Sequence, residues 1–225
     1  MRRAGAFILV TAIGFLTLNA MPAQDDKPKS ATDSVPSSFR SYVVVDDRFP
    51  PKMVPVKRAE DRDPRDRTHK MHCFVCEQAL NPVLAIFTHA KPDEASAAAK
   101  LAKQLDPVVK DLRSSSFSAF VIFLTLEKEY PLDDLRNSTG GFVREERAAE
   151  VEALGKQLAT PRIPFGLAAR VSQSTTEWGI GEADETVVVL YNRMKVIKRW
   201  NFPAGPPSDG EIKTILDTVK TVVGK

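Results

Sequence analysis

The chain reads as an α/β domain with a mixed central sheet and helices on both faces. Three observations predict this. From Asn81 onward, uninterrupted apolar runs alternate with amphipathic stretches, the pattern of buried parallel strands joined by crossover helices. Two neighbouring strand-like runs, TVVVLY (Thr186–Tyr191) and KVIKRWNF (Lys195–Phe202), are joined by a connection too short for a crossover, so they form an antiparallel hairpin. A capping box, Ser208-Asp209-Gly210-Glu211, then opens a last helix with Ile212, Ile215, Leu216, Val219 and Val222 on one face.

Taken in order, the chain starts with Arg2 and Arg3, an uncharged run AGAFILVTAIGFLTL (Ala4–Leu18) and then NAMPAQ. A basic start, an apolar stretch and a small-residue exit form the secretory signal pattern, with cleavage fitting after Ala20 or Ala23. The alternative is an uncleaved anchor, although the run is shorter than the roughly 20 residues a spanning helix needs. The expected division is therefore a signal peptide over 1–23, a disordered linker over 24–41 and one folded domain over 42–225. The linker, QDDKPKSATDSVPSSFRS, is too polar to bury apolar surface. An exported, periplasmic or extracellular protein follows, with no membrane span after cleavage. The mature chain is nearly neutral at +1, which leaves no electrostatic footprint for nucleic acid.

Tyr42–Val45 reads as an edge strand joining the domain. Residues 57–70 carry ten charges of mixed sign in fourteen positions and read as a solvated loop. VLAIFT (Val83–Thr88) is a buried strand after Pro82. Pro92-Asp93-Glu94 suits a helix start, and Leu101, Leu105, Val108 and Leu112 share one helical face. Pro107 predicts a kink or restart there, with Asp106 as cap. FSAFVIFLTL (Phe117–Leu126) is the most apolar run of the mature chain and should be the central strand. After the loop YPLDDLRNSTGG, a helix is expected from Val143 to Ala159, with Val151, Leu154 and Leu158 facing inward. IPFGLAARV (Ile163–Val171) is a strand, and a helical turn around Thr175–Trp178 should end at Gly179.

This order, closed by a hairpin and a helix, resembles the thioredoxin fold: a three-layer α/β/α sandwich with a mixed sheet. The unit inserted before the third strand resembles the peroxiredoxin-like branch, the alkyl hydroperoxide reductase and thiol-specific antioxidant proteins. The most specific stretch is IPFGLAARVSQSTTEWGIGEADETVVVLYNRMKVIKRWNF, where Trp178-Gly179-Ile180 stands in place of the family's YGV turn. The resemblance spans Asn81 to Val223. It implies a thiol-handling scaffold, but the reactive cysteine of relatives would fall in Thr88–Glu94, and that stretch has none. The cis-proline that faces the disulfide in thioredoxins would align near Thr186.

Both cysteines lie upstream instead, in HKMHCFVC (His69–Cys76). Bridging Cys73 to Cys76 requires a turn, because positions i and i+3 of a strand lie roughly 10 Å apart. CFVCEQALNP permits one helical turn, ended by Asn81-Pro82, which would place Cys73 near a helix start that favours the thiolate. Four readings stand. The pair is a structural disulfide, a redox dithiol, a metal site or two inert thiols. In the redox reading Cys73 attacks, Cys76 resolves and His72 stabilises the thiolate, acting on envelope proteins by thiol–disulfide exchange with no cofactor. In the metal reading His69, His72, Cys73 and Cys76, with Met71 and His89 as further donors, hold copper or zinc. Glu77 stands where haem attachment needs histidine. A non-enzymatic module that keeps the fold without the chemistry is the remaining alternative. Trp178 and Trp200 read as core or rim aromatics, and Asp133-Asp134 and Glu145-Glu146 as solvated charges.

Overall fold

A computed structural model describes residues 34–36, 38–49, 65, 67–127, 139–203, 205 and 207–224, with side chains of 139–143 excepted. The expected signal segment, most of the tether, most of the 57–70 loop and the 128–138 loop lie outside the described residues.

Strands β1 (Arg40–Val45), β2 (Met71–Cys73), β3 (Val83–Thr88), β4 (Ser118–Leu126), β5 (Phe165–Ala169), β6 (Thr186–Asn192) and β7 (Lys195–Phe202) form one sheet. Its order is β2-β1-β5-β4-β3-β6-β7. The helices are α1 (Phe74–Gln78), α2 (Ala97–Asp111), α3 (Thr139–Leu158), α4 (Gln173–Glu177) and α5 (Asp209–Val223). β4, the most apolar strand, sits at the centre as its composition predicts. β3, β4 and β5 are parallel, while β6 runs antiparallel to β3, from Val83↔Tyr191 to Thr88↔Thr186 without a register shift.

Alternation along the strands sends side chains to two cores. Leu84, Ile86, Val121, Phe123, Val188 and Leu190 pack under α2, α3 and α5. Ala85, Phe87, Phe120, Ile122, Val187 and Val189 face the other way, under α1 and the α4 turn, where Phe74, Val75, Trp178 and Ile180 cover them. The unit β3-α2-β4 and the unit β6-β7-α5 place α2 and α5 on one face, and α3-β5 extends the sheet beyond β4. That is a thioredoxin-like three-layer α/β/α sandwich with a mixed sheet.

Several local expectations need correction. Tyr42–Val45 is not an edge strand: β2 pairs outside it, and β5 pairs inside. The end of the expected linker is packed, with Val35, Phe39 and Ser41 buried. α2 starts at Ala97 under a Ser96 cap, whose hydroxyl accepts the Ala99 N–H, rather than at Pro92–Glu94. It also runs through Pro107 without restarting; that residue is exposed, so water reaches the carbonyl its missing N–H leaves free. Asp106 caps nothing. It is buried and takes the backbone N–H of Arg162 at 2.9 Å and its guanidinium at 2.5 Å. α3 starts at Thr139, so Gly140 and Gly141 lie inside the helix rather than in a turn before it. The hairpin turn uses Arg193 and Met194 at φ +50° and +60°, the twist-matched geometry usually given to Asn-Gly. Gly179, at φ +62°, ends the α4 turn as expected.

Candidate site at the sheet edge

Cys73 is the last residue of β2, opposite Arg40 of β1, with His72 opposite Ser41 and Met71 opposite Tyr42. Two further backbone bonds, Val43 N–H to Lys70 at 2.9 Å and His69 N–H to Val43 at 2.8 Å, extend this pairing. The chain then turns directly into α1, with Cys73 as cap. Phe74 and Val75, each 1% exposed, anchor that turn in the second core. Phe74 stacks on Phe120 with ring centroids 5.3 Å apart. The helix ends at Ala79, φ +33°, before Asn81-Pro82 carries the chain into β3.

This one turn brings the cysteines together, as the sequence required of it. Cys73 and Cys76 form a disulfide with Cα atoms 5.2 Å apart. The Cys76 N–H donates to Cys73 Sγ at 3.1 Å. Cys76 is exposed, whereas Cys73 is half-buried and packed against the second core.

The histidines go elsewhere. His72 Nε2 lies 2.9 Å from Glu77 Oε2, and its ring meets the Phe74 ring edge to face. Glu77 accepts from Arg48 at 3.2 Å, and Arg48 makes a two-pronged bond to buried Asp46 at 2.7 and 2.8 Å. Burial pushes the Glu77 carboxyl up, but His72 and Arg48 outweigh it and hold the group below its usual range. Burial likewise opposes the Arg48 charge, and Asp46 and Glu77 outweigh that too. The result is a chain Asp46–Arg48–Glu77–His72 wrapped around Phe74, with the Arg48 guanidinium 5.5 Å from that ring. Sequence reasoning missed Asp46, Arg48 and Glu77. Arg48 and Glu77 are 29 residues apart, and nothing local announces their meeting.

The metal donors are not gathered. His69 is exposed and its Nδ1 lies 3.3 Å from the Tyr42 hydroxyl. His89 sits at the end of β3, five places along the sheet from β2 counting both strands, about 19 Å away at roughly 4.8 Å per strand. Both sulfurs are bonded to each other. Among the described residues no group of three or more His, Cys, Asp or Glu side chains is placed to hold a metal ion. Nor is any described helix long and apolar enough to cross a membrane.

The corner at the end of β3, where Thr88–Glu94 has no cysteine, is a hydrogen-bonded latch. Thr88 Oγ1 donates to the Glu185 carbonyl at 3.1 Å, meets Thr186 Oγ1 at 3.2 Å and accepts the Ala90 N–H at 3.1 Å. His89 Nδ1 lies 2.7 Å from the Asp184 carbonyl, so that nitrogen carries the proton. Trp178 is core, 2% exposed, and Glu145 and Glu146 are exposed on α3.

Fold and site together define a thioredoxin-like domain with a closed Cys-x-x-Cys at one edge of its sheet. No protein-family model matches the chain, and no curated protein matches it in sequence. Solved structures do resemble it. A "putative protein disulfide isomerase" of Bacteroides thetaiotaomicron is 13% identical at a TM-score of 0.49, over 87% of this chain and 91% of that one. A hypothetical protein of Sinorhizobium meliloti is 14% identical at a TM-score of 0.49, over 87% and 85%. Peroxiredoxin Q of Xanthomonas campestris is 8% identical at a TM-score of 0.42, over 68% and 86%.

Proposed function

We propose that this domain performs thiol–disulfide exchange at Cys73–Cys76, outside the cytoplasm, on cysteine-bearing proteins of the same compartment. The observation that carries the reading is the asymmetric pair: a closed disulfide between an exposed cysteine, Cys76, and a half-buried one, Cys73, whose sulfur accepts a backbone N–H. An accessible sulfur lets a partner thiolate reach the bond, and the N–H stabilises the thiolate released. Export is supported by the Arg2-Arg3 start and the apolar run behind it, and by the persistence of disulfides in oxidising compartments.

The fold also tolerates cycling. Closing so short a loop stabilises a chain by only about 2 kcal/mol on the entropy model. Phe74 and Val75 anchor the turn by burial rather than through the sulfurs, so the domain is expected to stay folded on reduction. His72 has no direct part in this reading, since its Nε2 is held by Glu77.

A redox titration in glutathione buffers, followed by the rate at which the protein exchanges with a model disulfide, tests the proposal. The expected potential lies above about −300 mV, and either Cys73→Ser or Cys76→Ser lowers the exchange rate roughly 100-fold. A potential below that value, with no exchange, would make the bond a staple and the domain a binding module.

A further inference from the structure

We propose that the pair is built to be attacked at Cys76, with Cys73 as the leaving thiolate, so that the domain donates its disulfide to a polypeptide carrying two thiols. This rests on the exchange reading above and fixes its direction. It reverses the roles expected from chain position, in which Cys73 at the helix start meets the partner.

Exchange is a displacement along the S–S axis. The incoming thiolate bonds to the sulfur it can reach, and the other sulfur leaves with the electron pair. Two separate features make the sulfurs unequal, and both point the same way. The first is access. Cys76 is exposed, while Cys73 is half-buried against the cluster of Phe74, Val75 and Phe120. A polypeptide thiolate meets Cys76 first.

The second feature is the quality of the leaving group. Cys73 Sγ accepts the Cys76 N–H at 3.1 Å, so charge arriving on that sulfur finds a donor already in place. Cys76 Sγ has no such donor among the described residues. A sulfur whose thiolate is stabilised leaves faster, and here that sulfur is the shielded one. The opposite order would bring the partner to the shielded sulfur and expel the unassisted one.

The electrons balance within the pair and its partner. A substrate thiolate attacks Cys76 Sγ; the Cys73–Cys76 bond breaks, a Cys76–substrate disulfide forms, and Cys73 departs as thiolate. The second substrate thiolate then attacks the substrate sulfur of that mixed disulfide and releases Cys76. The substrate leaves oxidised with an internal disulfide, and the two protons lost by its thiols are taken up, by way of solvent, by Cys73 and Cys76, so the domain becomes a dithiol. The oxidant consumed is the bond the domain already carries.

The test uses the full chain. Oxidised wild type is mixed with a reduced synthetic peptide bearing one cysteine, quenched in acid at short times, and digested to locate the peptide by mass spectrometry. The peptide is expected on Cys76 in roughly tenfold excess over Cys73. In a second arm, the pH dependence of iodoacetamide alkylation is compared for Cys73 in the Cys76→Ser variant and Cys76 in the Cys73→Ser variant. The residue 76 N–H survives both changes, so Cys73 is expected to titrate about one pH unit lower. Peptide found mainly on Cys73, or equally on both, overturns the proposal, as does the reverse order of the two titrations. A wild-type disulfide that the peptide never opens ends the exchange reading itself, whereas exchange at Cys73 ends only the direction.

Discussion

At the end of β3 and at the outer edge of the sheet, the same fold treats its polar groups in opposite ways. The β3 corner holds Thr88, His89, Glu185 and Thr186 in mutual hydrogen bonds, with Thr88 and Thr186 each 1% exposed. The edge holds a disulfide between half-buried Cys73 and exposed Cys76, backed by an Asp46–Arg48–Glu77–His72 chain that is half-buried beyond Asp46. The first region fastens β3 to the start of β6. The second presents a bond to solvent. The end of β3 is structural in this chain and the sheet edge carries the thiols, because a position at a strand end dictates accessibility and not chemistry.

The comparison can be broken by substitution. The largest stability effect belongs to Phe74→Ala. Phe74 is 1% exposed, stacked on Phe120 and enclosed by His72 and Arg48, so losing it should cost about 3–4 kcal/mol and loosen the turn that pairs the cysteines. Denaturant unfolding would measure the loss, and exchange should fall with it. An unchanged midpoint would show that α1 is not anchored by this ring.

A smaller effect is expected from Thr88→Val. It leaves the Ala90 N–H and the Thr186 hydroxyl without their partner, at a cost of about 2 kcal/mol. Here the exchange rate at Cys73–Cys76 should stay at the wild-type value. A drop in that rate would mean that the β3 corner still takes part in the chemistry.

The smallest effect belongs to Glu77→Gln, which should cost about 1.5 kcal/mol at pH 7. Because the folded carboxyl titrates below its usual range, its stabilisation is complete above the unfolded value, near 4.5. It is lost as the pH falls through the folded one. The gap between wild type and variant should therefore close on acidification below about pH 4.5. Thermal melts across that range give the comparison, and a gap independent of pH would remove the charge argument.

Much of the architecture was legible locally. The β3 and β4 runs announced themselves by continuous apolarity, and α5 by its capping box, since Glu211 accepts from Ser208 as that motif requires. The turn at Cys73 was legible too, because helix-compatible residues run to Asn81-Pro82. Other features were not. Ser96 has no acidic partner three residues on, so the start of α2 carried a weaker signal than Pro92–Glu94. The three residues of β2 have no periodicity to read, and only their pairing with β1 makes them a strand.

Local patterning decided which segments are strands and helices, β2 excepted, that Cys73 and Cys76 fall within one turn, and that Thr88–Glu94 offers no thiol. These follow from side-chain spacing and backbone propensity, which act over a few residues. Tertiary structure alone decided that β2 lies outside β1, that Arg48 reaches Glu77, that His72 is spoken for, and that Cys76 rather than Cys73 faces solvent. Each of those depends on groups far apart in the chain being packed together, and burial is a property of that packing.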